Sequence, residues 1–253
     1  MKAPYIEILV CLLFAHIIGD FLLQTSADVR NKHRISVLSK HAAIAGVVSY
    51  AVCGLWKMWP IPLAVFLGHF LVDYAKVRLR RKFREQEPCL FLVDQAVHLL
   101  TLLMITYGLV ILYPSSARNI WWINAFGPWY PRILIFMGGF ILTVRAGAMV
   151  MEMAVRPFLV QLKEGAGSPQ KGLQNGGRFI GQLERAMIFL FVMAGHPSVI
   201  GFLIAAKSIL RFGDVRDREN RMEAEYIIIG TLMSFLLGLL VAYGARLLMS
   251  MLG

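Results

Sequence analysis

Three pairs of ionisable residues interrupt the apolar stretches of this chain: His16 with Asp20, His69 with Asp73 and, in reverse order, Asp94 with His98. A spacing of i, i+4 stacks both members of a pair on one face of an α-helix, one turn apart. Ionisable groups are costly in hydrocarbon, so three pairs in three apolar stretches need a common partner or a common task. Imidazole and carboxylate together suit zinc and other divalent cations. Three histidines and three aspartates exceed one tetrahedral shell. Either some aspartates hold the imidazole tautomers from outside the ligand set, or two metals share the site at a separation of roughly 3.5–4 Å. His16, His69, Asp73 and His98 read as metal ligands, with Asp20 and Asp94 as ligand, base or outer partner. A metal with an open coordination position lowers the pKa of bound water toward about 7 and makes a nucleophile for ester or phosphoester hydrolysis. The same side chains could instead relay ions or protons, or act as interhelical glue at roughly 1 kcal/mol or less per pair.

The elements that must position these residues are membrane spans. Of 253 residues, 58% are hydrophobic and 16% charged, and apolar runs recur at Pro4 to Leu23, Ala42 to Trp59, Pro60 to Val77, Leu90 to Leu112, Arg132 to Val155, Phe179 to Gly195 and Tyr226 to Met249. An eighth run, Pro197 to Leu210, is short for a span. Basic segments mark the cytoplasmic side, and four stand out: Arg30 to Lys40, Lys76 to Arg84, Arg156 to Arg185 and Lys207 to Arg221. All four share one side only if Pro197 to Leu210 crosses. The expected fold is therefore an all-α integral membrane protein of about eight transmembrane helices, both termini non-cytoplasmic, in a bacterial inner membrane. The first run has no basic leader beyond Lys2 and carries His16 and Asp20, so it reads as a span and not a cleaved signal.

That topology explains the reversed third pair. The first and third helices run inward and the fourth runs back. With about 1.5 Å of rise per residue, the three aspartates lie about 4 to 6 Å from the cytoplasmic ends and the three histidines about 12 Å. One shared layer demands the order H-x-x-x-D on the way in and D-x-x-x-H on the way out. His41, at the cytoplasmic start of the second helix, can cap the cluster from its mouth, and Gln24, two turns past His16, can orient a ligand or cap the first helix. Gly19 and Gly68 sit beside site residues, where a missing side chain lets helices approach closely.

The organisation expected is a four-helix half at 1–112 carrying the site, an external aromatic loop at 113–131 with Trp121, Trp122, Phe126, Trp129 and Tyr130, and a second four-helix half at 132–253 with a cytoplasmic Gly-rich loop at 156–178. The second half has its own charges: Arg145, Glu152, Glu184, Arg185, Lys207 and Arg211. Arg145 is the deepest cation and should pair with a carboxylate or face a cavity. Together with Lys76, the cations Arg145, Lys207 and Arg211 could bind an anionic lipid head group; a charge network and dipole compensation explain them about as well. The net charge of +11 is mostly orientation signal, so the partner expected is a membrane lipid or lipid-linked substrate and not nucleic acid. Cys11, Cys53 and Cys89 show no C-x-x-C and read as core residues. Lys163 to Arg178 and the charged stretch Asp214 to Glu225 read as solvated cytoplasmic connections.

The run His16-Ile-Ile-Gly19-Asp20-Phe21-Leu-Leu-Gln24 resembles the H-x-x-G-D-F-x-x-Q segment of an uncharacterised bacterial multi-pass family, domain of unknown function number 3307. The likeness continues through His69 to Asp73 with Lys76, Asp94-Gln95-Ala-Val-His98, Ala205 to Phe212 and Glu225 to Ser234. It implies a multi-pass fold and supplies no reaction. A looser resemblance, confined to histidines and aspartates of amino-terminal spans, is to bacterial membrane-bound metal-dependent hydrolases, whose H-R-G-x-T-H-type segment is missing here. The first-choice function is metal-dependent hydrolysis of a lipid-linked or phosphoester substrate at the cytoplasmic leaflet, zinc being the expected cofactor as one or two ions. The alternatives are a transporter or proton-coupled carrier, and a non-catalytic assembly or sensing partner.

Overall fold

A computed structural model describes residues 5–80, 87–117, 119–165, 176–211 and 221–252. Its regular elements are all helical: α1 (Tyr5–Ile18), α2 (Ser26–Arg30), α3 (Ile35–Cys53), α4 (Pro60–Arg80), α5 (Glu87–Leu112), α6 (Pro114–Ala117), α7 (Trp121–Phe126), α8 (Trp129–Ile141), α9 (Gly147–Gly165), α10 (Gly176–Met193), α11 (Val199–Arg211) and α12 (Arg221–Met251). Two π-helical segments, Gly19–Leu23 and Leu142–Ala146, continue α1 and join α8 to α9. Six stretches are long and apolar enough to cross a membrane: Tyr5–Leu23, Ile35–Cys53, Pro60–Arg80, Pro88–Leu112, Trp129–Val160 and Glu225–Met251. This is a membrane protein. The two remaining apolar runs form α10 and α11, of 18 and 13 residues.

The chain divides into two compact units, residues 1–138 with 248–253, and residues 139–247. In the first unit α1 packs on α3 and α5, α3 on α4, and α4 on α5. Ile8, Val10, Cys11, Leu12, Ala15 and His16 of α1 are all buried, which makes α1 the core helix. Gly54 ends α3 in the left-handed conformation (φ 59°), where glycine has no Cβ penalty. Pro60 opens α4, a position where its missing N–H costs nothing. Two close approaches fix the α3–α4–α5 arrangement. A Cβ on Gly46 would lie 2.6 Å from the Pro62 carbonyl oxygen, and one on Gly68 would lie 2.6 Å from Thr101 Cγ2. The expectation of close approach at Gly68 is met; Gly19 has nothing within 4 Å of such a carbon and instead begins the π segment.

Several boundaries differ from the sequence expectation. The second helix starts at Ile35 and stops at Cys53 because Gly54 terminates it, so His41 lies inside a helix rather than at its start. The aromatic segment belongs to the first unit, since Trp122 Nε1 donates to the Ala51 carbonyl at 2.7 Å and the Tyr130 hydroxyl to that of Val52 at 2.6 Å. These bonds satisfy carbonyls that the end of α3 leaves open. The Gly-rich loop expected at 156–178 is shorter: α9 continues past Pro157 to Gly165 on good helix formers such as Gln161, Leu162 and Lys163, and α10 begins at Gly176. Residues 166–175, and 212–220 of the charged connection, lie outside the described residues. Cys11 and Cys53 are buried as expected, whereas Cys89 is exposed.

In the second unit α10 packs on α9 and α11 and on the Leu142–Ala146 segment. Its buried face is Glu184, Arg185, Ile188, Phe189 and Val192. A Cβ on Gly139 would meet the Phe189 ring at 2.7 Å, and one on Gly238 would meet Ile188 at 3.3 Å.

Candidate functional site

All three sequence pairs converge in the first unit. The imidazole centroids of His69 and His98 are 4.4 Å apart, those of His16 and His98 4.9 Å, and those of His16 and His69 5.6 Å. His41 joins them with its ring 4.8 Å from that of His69. His16, His41, His69, Asp73, Asp94 and His98 are all buried. The shared layer drawn from the reversed third pair is therefore a real cluster.

Its tightest part spans three elements. His41 Nε2 and His69 Nε2 lie 3.0 Å apart, and Asp20 Oδ1 faces them at 3.2 and 3.4 Å. Asp73 Oδ2 faces the same two nitrogens at 3.7 and 3.5 Å. Donor atoms bound tetrahedrally to a cation at about 2.0–2.1 Å are separated from one another by about 3.3–3.4 Å. Two triangles of donors sharing the His41–His69 edge therefore have ligand spacing, with no atom needing a large shift. Three overlapping sets could hold a metal ion, each with its donor atoms within 4.8 Å of one another: His16, Asp20 and His69; His41, His69 and Asp73; and Asp73, Asp94 and His98.

Local structure explains each position. The π segment carries Asp20 and closes with the Gln24 N–H bonded to the Gly19 carbonyl at 3.1 Å, five residues back. π-turns within α-helices recur at functional sites. Here the widened turn leaves Asp20 Oδ2 3.9 Å from His16 of its own helix while Oδ1 reaches histidines of α3 and α4. Gly68 lets α4 press on α5, which sets His69 against His98. The His98 Nδ1–H donates to the Asp94 carbonyl at 2.9 Å, which leaves Nε2 as the free lone pair. On α3, His41 lies on the buried stripe Leu38, His41, Ala42, Ala45, Gly46, Ser49 and Cys53.

Hydrogen bonding leaves this cluster unfinished. Seven buried side-chain polar atoms have no hydrogen-bond partner among the described residues, and five of them are His16 Nδ1, Asp20 Oδ1, Asp73 Oδ2, Asp94 Oδ1 and His98 Nε2. A sixth is Gln24 Nε2, one residue past the π segment. Buried polar atoms are rarely orphaned without a function or a ligand.

Two lysines complete the charge balance. Lys32, in the turn between α2 and α3, reaches Asp73 Oδ1 at 2.7 Å, and Lys76 of α4 reaches Asp94 Oδ2 at 2.6 Å. Sequence reasoning missed Lys32, because nothing in its neighbourhood announces a contact 41 residues away. It also missed Gln95, whose Oε1 lies 3.4 Å from His16 Nε2 and whose Nε2 donates to Asp94 at 3.2 Å. His41 was placed at the mouth and is a full member; its place on a small-residue stripe is the signal that could have put it there. Outside the cluster, α2 is held by a capping box in which Thr25 and Asp28 bond reciprocally. The Thr25 hydroxyl, with Lys40 and the Thr25 N–H behind it, lowers the Asp28 carboxyl to about 2.

The second-unit candidates separate differently. Lys207 Nζ binds both oxygens of buried Glu184, at 2.7 and 2.9 Å. Arg185 is the buried cation, donating to the Thr143 carbonyl at 3.0 Å and Ser234 Oγ at 2.9 Å. Arg145, expected to pair or to line a cavity, is exposed in the π segment and has no carboxylate partner among the described residues. Glu152 is exposed and faces Arg178 at 3.6 Å. Arg211 ends α11; its side chain lies outside the described residues.

Residues 8–124, a little under half of the chain, match the model of a family described as protein of unknown function (DUF3307). The matched segment contains every residue of the cluster. No curated protein and no solved structure matches the chain. The looser likeness to membrane-bound metal-dependent hydrolases thus has no support beyond the residues that suggested it.

Proposed function

Because the matched family carries no reaction in its description, the site itself must carry the functional argument, and we propose that it is a divalent-metal centre for hydrolysis of a lipid-linked or phosphoester substrate. The observation behind this reading is the ligand-like spacing of Asp20 Oδ1, His41 Nε2, His69 Nε2 and Asp73 Oδ2, at 3.0–3.7 Å for the five contacts among them. Those four residues would hold the cation, zinc fitting the mixed imidazole and carboxylate set. The metal would supply Lewis acidity and an acidified water. His98, oriented by the Asp94 carbonyl, would exchange a proton at Nε2, and Asp94 would accept hydrogen bonds from Gln95 and Lys76 beside it. His16 supports Asp20 from the same helix.

The finer topology belongs to this proposal. Eight crossings, with α10 and α11 as the sixth and seventh, put the four basic segments on the cytoplasmic side of a bacterial inner membrane and open the site to the cytoplasmic leaflet. Metal analysis of chelator-free protein is the test. About one zinc per chain is expected, falling to background in His69→Ala; no metal in the wild-type protein removes the reading.

A second reading has one observation in its favour, the hydrogen-bonded series Lys76, Asp94, Gln95, His16 running from α4 through α5 to α1. Such a series suits an ion or proton relay. Uptake by proteoliposomes that is abolished in Gln95→Ala, without hydrolysis, would decide for transport.

A further inference from the structure

We propose that Lys32 and Lys76 form the anion-binding jaw of this site, and that the group they bind is a phosphate-ester anion; the inference rests on the metal reading above. Each lysine binds the oxygen of an aspartate that the histidines leave over. Asp73 gives Oδ2 to His41 and His69 and Oδ1 to Lys32; Asp94 gives Oδ2 to Lys76 while Oδ1 lies 3.5 Å from His98. Both ammonium groups therefore stand one carboxylate away from the donor set.

They are also its more exposed members. The aspartate side chains are 1% and 3% exposed, against 12% for Lys32 and 27% for Lys76. Lys76 is steadied from below by the Phe91 ring, 5.6 Å from its nitrogen. The lysines come from the α2–α3 turn and the last turns of α4, and each is more exposed than the carboxylate it binds.

Charge decides what that group is. Three carboxylates, those of Asp20, Asp73 and Asp94, stand against the two ammonium groups of Lys32 and Lys76, so acids outnumber bases in the cluster. Such a site attracts a cation. A bound divalent ion would reverse that balance, and the loaded site would attract an anion. A cation sharing Asp73 weakens the hold of that carboxylate on Lys32, freeing ammonium protons for a second acceptor. Compact ammonium charges beside a metal suit phosphate oxygens. The phosphate could sit on a lipid head group or on a soluble ester.

The experiment uses the full chain in nanodiscs of zwitterionic lipid, with and without stoichiometric zinc. Inorganic phosphate is titrated by calorimetry, and dioleoyl phosphatidate retained in the discs is counted by native mass spectrometry. Zinc-dependent phosphate binding is expected, weakened about tenfold in Lys32→Met and in Lys76→Met and partly restored in Lys76→Arg, with zinc content unchanged in all three. Preferential retention of phosphatidate assigns the phosphate to a lipid, and preference for inorganic phosphate assigns it to a soluble ester; either supports the jaw. Absence of zinc from the wild-type protein overturns the metal reading. Zinc without phosphate binding, phosphate affinity indifferent to zinc or to the lysines, or loss of zinc in the lysine variants overturns the jaw alone.

Discussion

The two units of this protein bury charge in opposite ways. In residues 139–247, Glu184 receives Lys207 on both oxygens and Arg185 donates to Thr143 and Ser234, so the buried ions of α10 are paired or hydrogen-bonded on site. In residues 1–138, three aspartates and four histidines crowd together and five of their polar atoms have no hydrogen-bond partner among the described residues. A satisfied buried ion pair holds a fold together; an unsatisfied cluster spends stability on something else. The difference teaches how to sort charged residues in membrane helices. Both units bury charge, and hydrogen-bond completeness separates them.

The comparison breaks if the two kinds of variant behave alike. The largest contrast is between His69→Ala and Lys207→Met. The first should abolish metal binding and any hydrolysis while leaving the melting temperature of the metal-free protein within a few degrees, since it also thins the crowding of four imidazoles and three carboxylates around it. The second leaves Glu184 buried and alone, which costs about 2–3 kcal/mol given the partial exposure of Lys207, with zinc content intact. Thermal unfolding in detergent and metal analysis on both proteins check this; a metal loss in Lys207→Met would unite what the structure separates.

Gly68→Ala gives an intermediate effect. The added methyl meets Thr101 Cγ2, so α4 and α5 must part at the level of His69 and His98. A loss of about 1–2 kcal/mol and a several-fold weaker zinc affinity are expected, both recovered by Thr101→Ser, which removes that carbon and keeps the hydroxyl. Isothermal zinc titration of the single and double variants is the check.

The smallest effect tests the sign of an exposed carboxylate. Asp28 titrates near 2 when folded and near 4 when unfolded, so its contribution is present above about pH 4 and disappears as pH falls through 2. Asp28→Asn should flatten the acid limb of the stability profile in that window and change nothing near pH 7 beyond the loss of the cap bonds. Urea melts between pH 2 and 7 would show it.

Much of the site was legible in the sequence because membrane helices impose one period and one direction. His16, Asp20, His69, Asp73, Asp94 and His98 follow from i, i+4 spacing and the reversed third pair, and they do meet. What was illegible depends on long-range approach. Lys32 lies in a turn whose neighbours are all exposed or half-buried, and its 41-residue reach to Asp73 leaves no periodic trace. The place of His41 in the core and not at the mouth follows from the start of α3 at Ile35, six residues before it. Arg145 fails in the other direction: position along a helix does not say which way a side chain faces, and among the described residues the buried guanidinium is that of Arg185.

The five-residue turn at Gly19–Leu23 makes this part of the chain sensitive to length as well as to side chains. A π-turn is an α-helix carrying one residue more than its hydrogen-bond ladder needs. Deleting a single residue from Phe21 to Leu23 would let the ladder close in ordinary register, with every chemical group of the cluster still encoded. Asp20 would then swing back toward its own helix and the capping box at Thr25 would be drawn up by a residue. In this segment the spacing itself shapes the cluster, and a sequence lacking one apolar residue there would keep all the letters of the site and lose its shape.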